Sequence, residues 1–456
     1  MDFKSGAKGD LVQQIQKKLI ELDLTPGLID GVFGAKTKAA VMEFQKIAQL
    51  KVDGVVGIIT AESLGLEHIL KVTEAERRQF KTLLTSNPNY FGNYPESGYD
   101  SVSAVSKNNK YEDIRCIGFN PDTNIVAATI ELKLPYGYGG NQCTAGTMEH
   151  IRFYIDYGSG SGWEDAGLGA VKVWDLPNAD DCAKKPNKPL SYVVSVEIDA
   201  KKKFCISPVL PKVRAILSWE MIPPDSAPDW LPAWGNVLQR DIQIKPKDWP
   251  HLIPIDVVKL EYIDQLEKLK LPQPPELIPI EIPGPQPVEF IELASLYTSK
   301  EFIKKSGVKV EPGRFGHSTL KMLSGTSLPD AGLMSVNVAE WKDLKLDIGK
   351  AIQELENTTA DISYEELKCV GLDPNRDWLE ATFKIKKSAG FSGSLCKAGS
   401  IEYVAFWADW DNDCKWTYLD TVEVNTHDIP DIPADGLHYT AILPVDLDVF
   451  REHCSK

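Results

Sequence analysis

The sequence predicts a multidomain, mainly β protein with a small three-helix domain at its N-terminus. Two internal repeats, and the stretch between the copies of the longer one, carry that prediction. An eight-residue phrase, DGVFGAKT at 30–37, returns as DGVVGIIT at 53–60, each time between segments of helical period. A far longer stretch beginning at Tyr111 returns at Tyr364, an offset of 253 residues, and its period is that of strands. Between the long copies the chain is first rich in proline and then helical in pattern.

The N-terminal domain is expected over residues 1–70. Leu11, Ile15, Leu19 and Leu22 form one helical stripe, and Ala40, Val41, Phe44, Ile47 and Ala48 form another. Both copies of the phrase read Asp-Gly-x-x-Gly-x-x-Thr. Asp-Gly marks a turn, because glycine accepts positive φ and aspartate bonds nearby backbone; the second glycine permits another bend, and threonine opens the next helix. Asp30, Gly31, Gly34 and Thr37, and their counterparts Asp53, Gly54, Gly57 and Thr60, therefore read as scaffold for two similar loops.

With Gly6, Gly9, Val12, Gln16, Leu19, Ala40, Val41, Phe44 and Gln45 in order and spacing, these residues resemble the peptidoglycan-binding domain 1 family over about residues 4–67. The resemblance implies a non-catalytic module that binds peptidoglycan or a related glycan or peptide. Such modules are often attached to cell-wall hydrolases and are also retained as protein–protein adaptors. The expected ligand surface lies at the loop tips and adjacent helix face, near Phe33, Lys36 and Gln45. The resemblance does not reach the remainder of the chain, for which function must be argued from its own residues.

The long repeat aligns YEDIRCIGFNPDTNIVAATIELKL with YEELKCVGLDPNRDWLEATFKIKK without a gap. The offset holds at Cys116/Cys369, Gly140/Gly393, Cys143/Cys396, Glu149/Glu402, Asp156/Asp409 and Trp163/Trp416. Short alternating segments separated by Gly, Pro, Asn and Asp predict two homologous, immunoglobulin-like antiparallel β-sandwiches, at 111–246 and 361–456. Residues 71–110 read as a linker, 247–298 as a Pro-rich linker and 299–360 as a mixed, partly helical connection. KVRAILSWEMIPP and WGNVLQRDIQIK extend the first copy by two strands without a counterpart in the second. A sandwich lacking these strands would expose core and an open sheet edge, which leaves three explanations: a truncated chain, a gap filled by another segment of this chain, or a strand given by another molecule, including a second copy. Residues 251–297 hold the candidate donors, and their prolines make them read first as a spacer packed along the domains and second as a completing strand.

Four cysteines fall in each copy, an even count that favours disulfides and an extracellular or cell-envelope location. Each domain permits three connectivities. If its strands follow the usual sandwich order, Cys116 and Cys205 lie at one end and Cys143 and Cys182 at the other, so the expected pairs are Cys116–Cys205 and Cys143–Cys182 and, by homology, Cys369–Cys454 and Cys396–Cys414. The N-terminus shows no signal-peptide pattern, which leaves a removed leader, leaderless export or a cytoplasmic location. No apolar run is long enough for a membrane-spanning helix. A net charge of −15 opposes nucleic-acid binding.

A catalytic constellation is not evident. The seven histidines show no H-x-x-x-H or H-x-H spacing, and neither Ser-x-x-Lys nor Gly-x-Ser-x-Gly occurs. Glu149/Glu402 and Asp156/Asp409 recur, but odd spacing along a strand places them on opposite faces, as edge or turn residues. Asp409, Asp411 and Asp413 form a weak calcium-like run, and Trp410 and Trp416 are candidates for stacking on sugars. No cofactor is expected. The expected function is non-catalytic wall binding, with the sandwiches as spacers or interaction surfaces. The alternatives are a wall-targeted hydrolase with an unfamiliar site, and a subunit of a larger extracellular assembly that uses the head as an adaptor.

Overall fold

The computed structural model describes residues 4–66 except 9, 49, 57 and 65; 76–176 except 78; 190–247; 288–315; 350; 353; and 360–451. As expected, a small helical part precedes a mostly β remainder.

The head contains α1 (Asp10–Glu21), α2 (Ala35–Ile47) and α3 (Ile58–Ser63). Val12, Ile15, Leu19, Val41 and Phe44 meet Phe33, Val56 and Leu64 in one core, the stripe pattern that makes an amphipathic helix bury one face. Leu22 and Ile47, read as parts of those stripes, instead lie exposed at the helix ends.

The first β half comprises β1 (Glu112–Asn120), β2 (Ile125–Leu132), β3 (Thr147–Asp156), β4 (Glu164–Val173), β5 (Leu190–Glu197), β6 (Lys212–Trp219) and β7 (Val237–Asp241). The second comprises β8 (Glu365–Asp373), β9 (Trp378–Ile385), β10 (Ser400–Ala408), β11 (Thr417–Thr426) and β12 (Leu437–Pro444). In the first half β1, β2 and β5 form one layer and β4-β3-β6-β7 the other. Ile117, Val126 and Ile130 face Ile151, Phe153 and Leu217 across the core between them. The pairs β1/β8, β2/β9, β3/β10 and β4/β11 each begin 253 residues apart, the separation of Cys116 and Cys369.

The halves are not separate bodies. The β1-β2-β5 and β8-β9-β12 sheets meet at both edges and close a ring, β1-β12-β9-β8-β5-β2. The two joints are parallel contacts, Phe119 with Tyr439 and Tyr192 with Leu372, and Phe119 and Leu372 stand at matching positions of the repeat. Glycines at matching positions permit the close approach. A Cβ on Gly118 would lie 2.7 Å from the Tyr439 carbonyl oxygen, and one on Gly371 would lie 2.9 Å from Val193 Cγ2. Side chains also cross the seam. Asn120 donates to the Thr440 carbonyl at 3.1 Å, and Ser195 donates to Asp373 at 2.7 Å.

This closure overturns most of the expected cysteine pairs. Cys116 bonds to Cys369 and Cys205 to Cys396, so Cys116–Cys205, Cys369–Cys454 and Cys396–Cys414 do not form. The expectation paired each set of four cysteines within its own sandwich, whereas the shared ring brings cysteines of opposite halves together. A β-bulge precedes both Cys116 and Cys369 and turns each strand at that point. Cys414 is disulfide-bonded, and Cys182 and Cys454 lie outside the described residues.

Both stretches read as linkers, and the partly helical connection after the second, contribute to the halves they precede. α4 (Phe80–Ser86) and the following segment place Phe80, Phe91 and Val105 in the first core. α5 (Phe290–Thr298), α6 (Lys300–Ser306) and α7 (Pro312–Phe315) place Leu293, Ala294, Tyr297 and Phe315 in the second. Residues 251–287, the greater part of the expected donor strand, lie outside the described residues.

Candidate functional sites: the head loops and two buried arginine centres

In the head, each copy of the repeated phrase is closed by a glutamine from the helix before it. Gln16, on α1, donates from Nε2 to Asp30 Oδ1, the Val32 carbonyl and Thr37 Oγ1 at 3.0, 3.0 and 3.2 Å, and its Oε1 accepts from Gly31 N–H at 2.9 Å. Gln45, on α2, repeats the set. It donates to Asp53, the Val55 carbonyl and Thr60 at 2.9, 2.9 and 3.2 Å, and accepts from Asp53 and Gly54 N–H at 3.1 and 2.8 Å. Gly31 and Gly54 hold φ of 72° and 68°, the left-handed region that glycine enters at least cost. Hydrogen bonds from the glutamines first, and from Val32 and Val55 N–H next, keep Asp30 and Asp53 below the ordinary carboxylate pKa.

The ligand surface expected in the head is therefore redrawn. Phe33 is fully buried in the core and Gln45 is 1 % exposed with its amide saturated by the loop, so both are scaffold. Lys36 is exposed. Beside it, the loop before α2 presents Leu28, Ile29 and Val32 to solvent, apolar side chains that a folded head gains nothing by exposing. Gly34 begins α2 in extended conformation, and Gly57 lies outside the described residues.

The β halves contain a pair of matching polar centres, and Glu149 and Glu402, expected as edge or turn residues, belong to them. In the first, Arg77 forms a double hydrogen bond with Glu112, at 3.1 and 2.8 Å, and donates from Nε to the Gly137 carbonyl at 2.9 Å. Its guanidinium is sandwiched between Tyr111 and Trp219, 3.9 and 4.0 Å from the ring centroids. In the second, Arg314 bonds Glu365 at 2.7 Å, Glu402 at 2.9 Å and the Gly390 carbonyl at 3.1 Å, over the Tyr364 ring. Planar guanidinium suits both the fork to a carboxylate and the stack on an aromatic face.

Glu149, the match of Glu402, is fully buried beside the first centre with neither carboxyl oxygen hydrogen-bonded. Burial, then the nearby Glu112 charge, push its pKa well above the ordinary value. A raised carboxyl beside a second carboxylate is the chemistry of a general acid, but both groups are 0 % exposed. Each centre is backed by an aspartate that holds the adjacent glycine loop. Asp175 accepts from Gly137, Tyr138 and Gly140 N–H at 2.7–2.9 Å, and Asp428 accepts from Gly390 and Phe391 N–H at 2.8 Å. The recurrence of Tyr111/Tyr364, Glu112/Glu365, Glu149/Glu402 and Asp175/Asp428 at one offset was the available signal. The arginines do not share that offset.

The other sequence candidates are redistributed. Asp409 caps a turn, accepting from Asp413 and Cys414 N–H at 3.1 and 2.9 Å, and Asp413 pairs with Lys415. The Asp409–Asp411–Asp413 run thus reads as a turn, and among the described residues no group of three or more His, Cys, Asp or Glu is placed to hold a metal ion. Trp410 stacks on Phe450 at 3.8 Å, while Trp416 stands 59 % exposed.

The family model for a putative peptidoglycan binding domain matches residues 8–64, and no other family is found for the remainder. No curated protein matches the chain. Among solved structures, the SleB N-terminal domain is 35% identical over 14% of this chain and 89% of its own length, with a TM-score of 0.14. An L,D-transpeptidase (residues 123–326) from Xylanimonas cellulosilytica DSM 15894 is 24% identical over 28% of this chain, with a TM-score of 0.13; the match spans 44% of that chain.

Proposed function

We propose that the protein binds peptidoglycan through its head and that the β halves form a non-catalytic spacer or interaction body at the cell envelope or outside the cell. The family match at residues 8–64 carries this reading. The exposed loop residues Leu28, Ile29 and Val32, with Lys36 beside them, supply a surface for it. Two disulfides between the halves suit an oxidising compartment, and no described helix is long and apolar enough to cross a membrane. Co-sedimentation of the full chain with purified sacculi tests the reading. Wild type should pellet, and a Leu28→Asp/Lys36→Glu variant with unchanged melting should stay largely in the supernatant; equal pelleting of both would remove the assigned surface. Release of soluble muropeptides by the wild type would replace this reading with that of a hydrolase.

Self-association is a second reading, favoured by the outer sheet of the second half. Among the described residues β10 pairs with β11 alone, whereas β3 has β6 along the matching edge. Tyr154 of β3 is 1 % exposed, while its match Trp407 is 54 % exposed and Tyr403 is 66 % exposed. Antiparallel pairing of β10 with β10 of a second copy would give β11-β10-β10-β11, the counterpart of β4-β3-β6-β7. Light scattering checks this: a dimer abolished by Trp407→Lys supports it, and a monomer at high concentration removes it.

A further inference from the structure

The two arginine centres differ on their outer side, and the difference points to a ligand. In the second half, Tyr297 of α5 fills that side. Its ring is 1 % exposed and packs against Phe302 and Phe315 at 5.4 and 5.5 Å between centroids. Its hydroxyl donates to Asp428 Oδ2 at 2.6 Å and accepts from Gly393 N–H at 3.2 Å. The phenol oxygen thus bridges the loop-holding aspartate and a glycine amide.

In the first half the phenol is missing and its two partners remain. Asp175 and Gly140 stand where Asp428 and Gly393 stand, and the Gly140 N–H reaches Asp175 Oδ2 at 2.9 Å, as the Gly393 N–H also reaches Asp428. No described residue of this half takes the place of Tyr297. A cavity of about 590 Å³ opens there, lined by Gly139, Gly140 and Asp175 and walled by Phe80, Tyr111 and Trp219. Its volume falls within the roughly 300–1,000 Å³ typical of small-molecule sites. Glu220 on its rim holds a left-handed backbone at φ 59°, unusual for a residue with a side chain, and pairs with Lys81 at the mouth.

We propose that this cavity binds a phenol, either a tyrosyl side chain or a free phenolic molecule. Its hydroxyl donates to the Asp175 carboxylate and accepts from the Gly140 amide beside the bond those two already share, and its ring lies against the aromatic wall. The hydroxyl must donate and accept at once, which Tyr297 does in the other half and which a phenylalanyl ring cannot do.

Calorimetric titration of the full chain with N-acetyl-tyrosinamide and N-acetyl-phenylalaninamide, and with p-cresol and toluene, tests the proposal. The hydroxylated member of each pair should bind saturably and about tenfold or more tighter than its partner, since a site built to bond a hydroxyl rejects the analogue lacking it. Tighter binding of the tyrosinamide than of p-cresol would identify a tyrosyl source, and the reverse a free phenol. Asp175→Asn should erase the preference for the hydroxyl. Because Asp175 also holds its loop, Lys81→Trp, a change at an exposed position of the mouth, provides the independent arm and should block binding. Absence of binding, equal binding within both pairs, or full binding by Lys81→Trp would overturn the proposal.

Discussion

Single residues at decisive positions carry much of this architecture, and Gln45 shows how. Its one amide makes five hydrogen bonds to four residues and shapes the second loop of the head. Gln45→Ala in the full chain should cost about 2–3 kcal/mol, by the usual net value of such bonds and the groups they leave unmet. Hydrogen exchange at Gly54 and Val55 should accelerate at least about tenfold as a result, while the β halves keep their protection. Glu380 on β9 acts through its charge. It is 1 % exposed, and burial, then the neighbouring Asp373, raise its pKa from 4.5 to about 8. Folding therefore takes up a proton between those values. The stability linked to this group is complete below pH 4.5 and is lost as pH rises through about 8. Glu380→Gln should leave melting at pH 4 nearly unchanged and raise it at pH 8 by roughly 5 °C, for a gain on the order of 2 kcal/mol.

At the level of elements, the arginine centres tie strands to the segments before them. Arg77 lies ahead of α4, yet its guanidinium bonds Glu112 of β1 and the loop after β2. Arg77→Met would strand a fully buried carboxylate and should destabilise the protein by about 3–5 kcal/mol; the double change Arg77→Met/Glu112→Gln should recover part of that loss in chemical denaturation. How much of this the sequence disclosed follows from what leaves a periodic trace. The head helices carry apolar stripes, and the strands alternate in both copies, so both could be read. The arginines stand off the common offset, and α5 begins inside a proline-rich stretch, so neither centre was assembled from sequence. In the head, Phe33 and Gln45 looked like ligand contacts because they flank the loop. Their burial depends on the packing of three helices, which no linear pattern displays.

For the whole molecule, the ring is the feature least visible in sequence. Its two joints are parallel contacts between strands far apart in the chain, and they add no alternation to either strand. The alignment of the cysteines between the copies was read as two separate sets, whereas two pairs run from one half to the other. A protease site inserted at residue 273, between the halves, gives a direct check. After cleavage the two fragments should migrate as one species on a non-reducing gel and separate only with reductant; separation without reductant would contradict the cross-linked ring.

The Cys116–Cys369 bond also sets how the chain carries load. Tension applied between the head and the last strand would pass from Cys116 directly to Cys369. The 253-residue loop between them, with all of β2 to β7, stands outside that path. At about 3.4 Å for each extended residue, roughly 850 Å of potential slack stays locked while the bond is intact. Under tension the head and the chain after Cys369 can still extend, but that slack is released only by reduction.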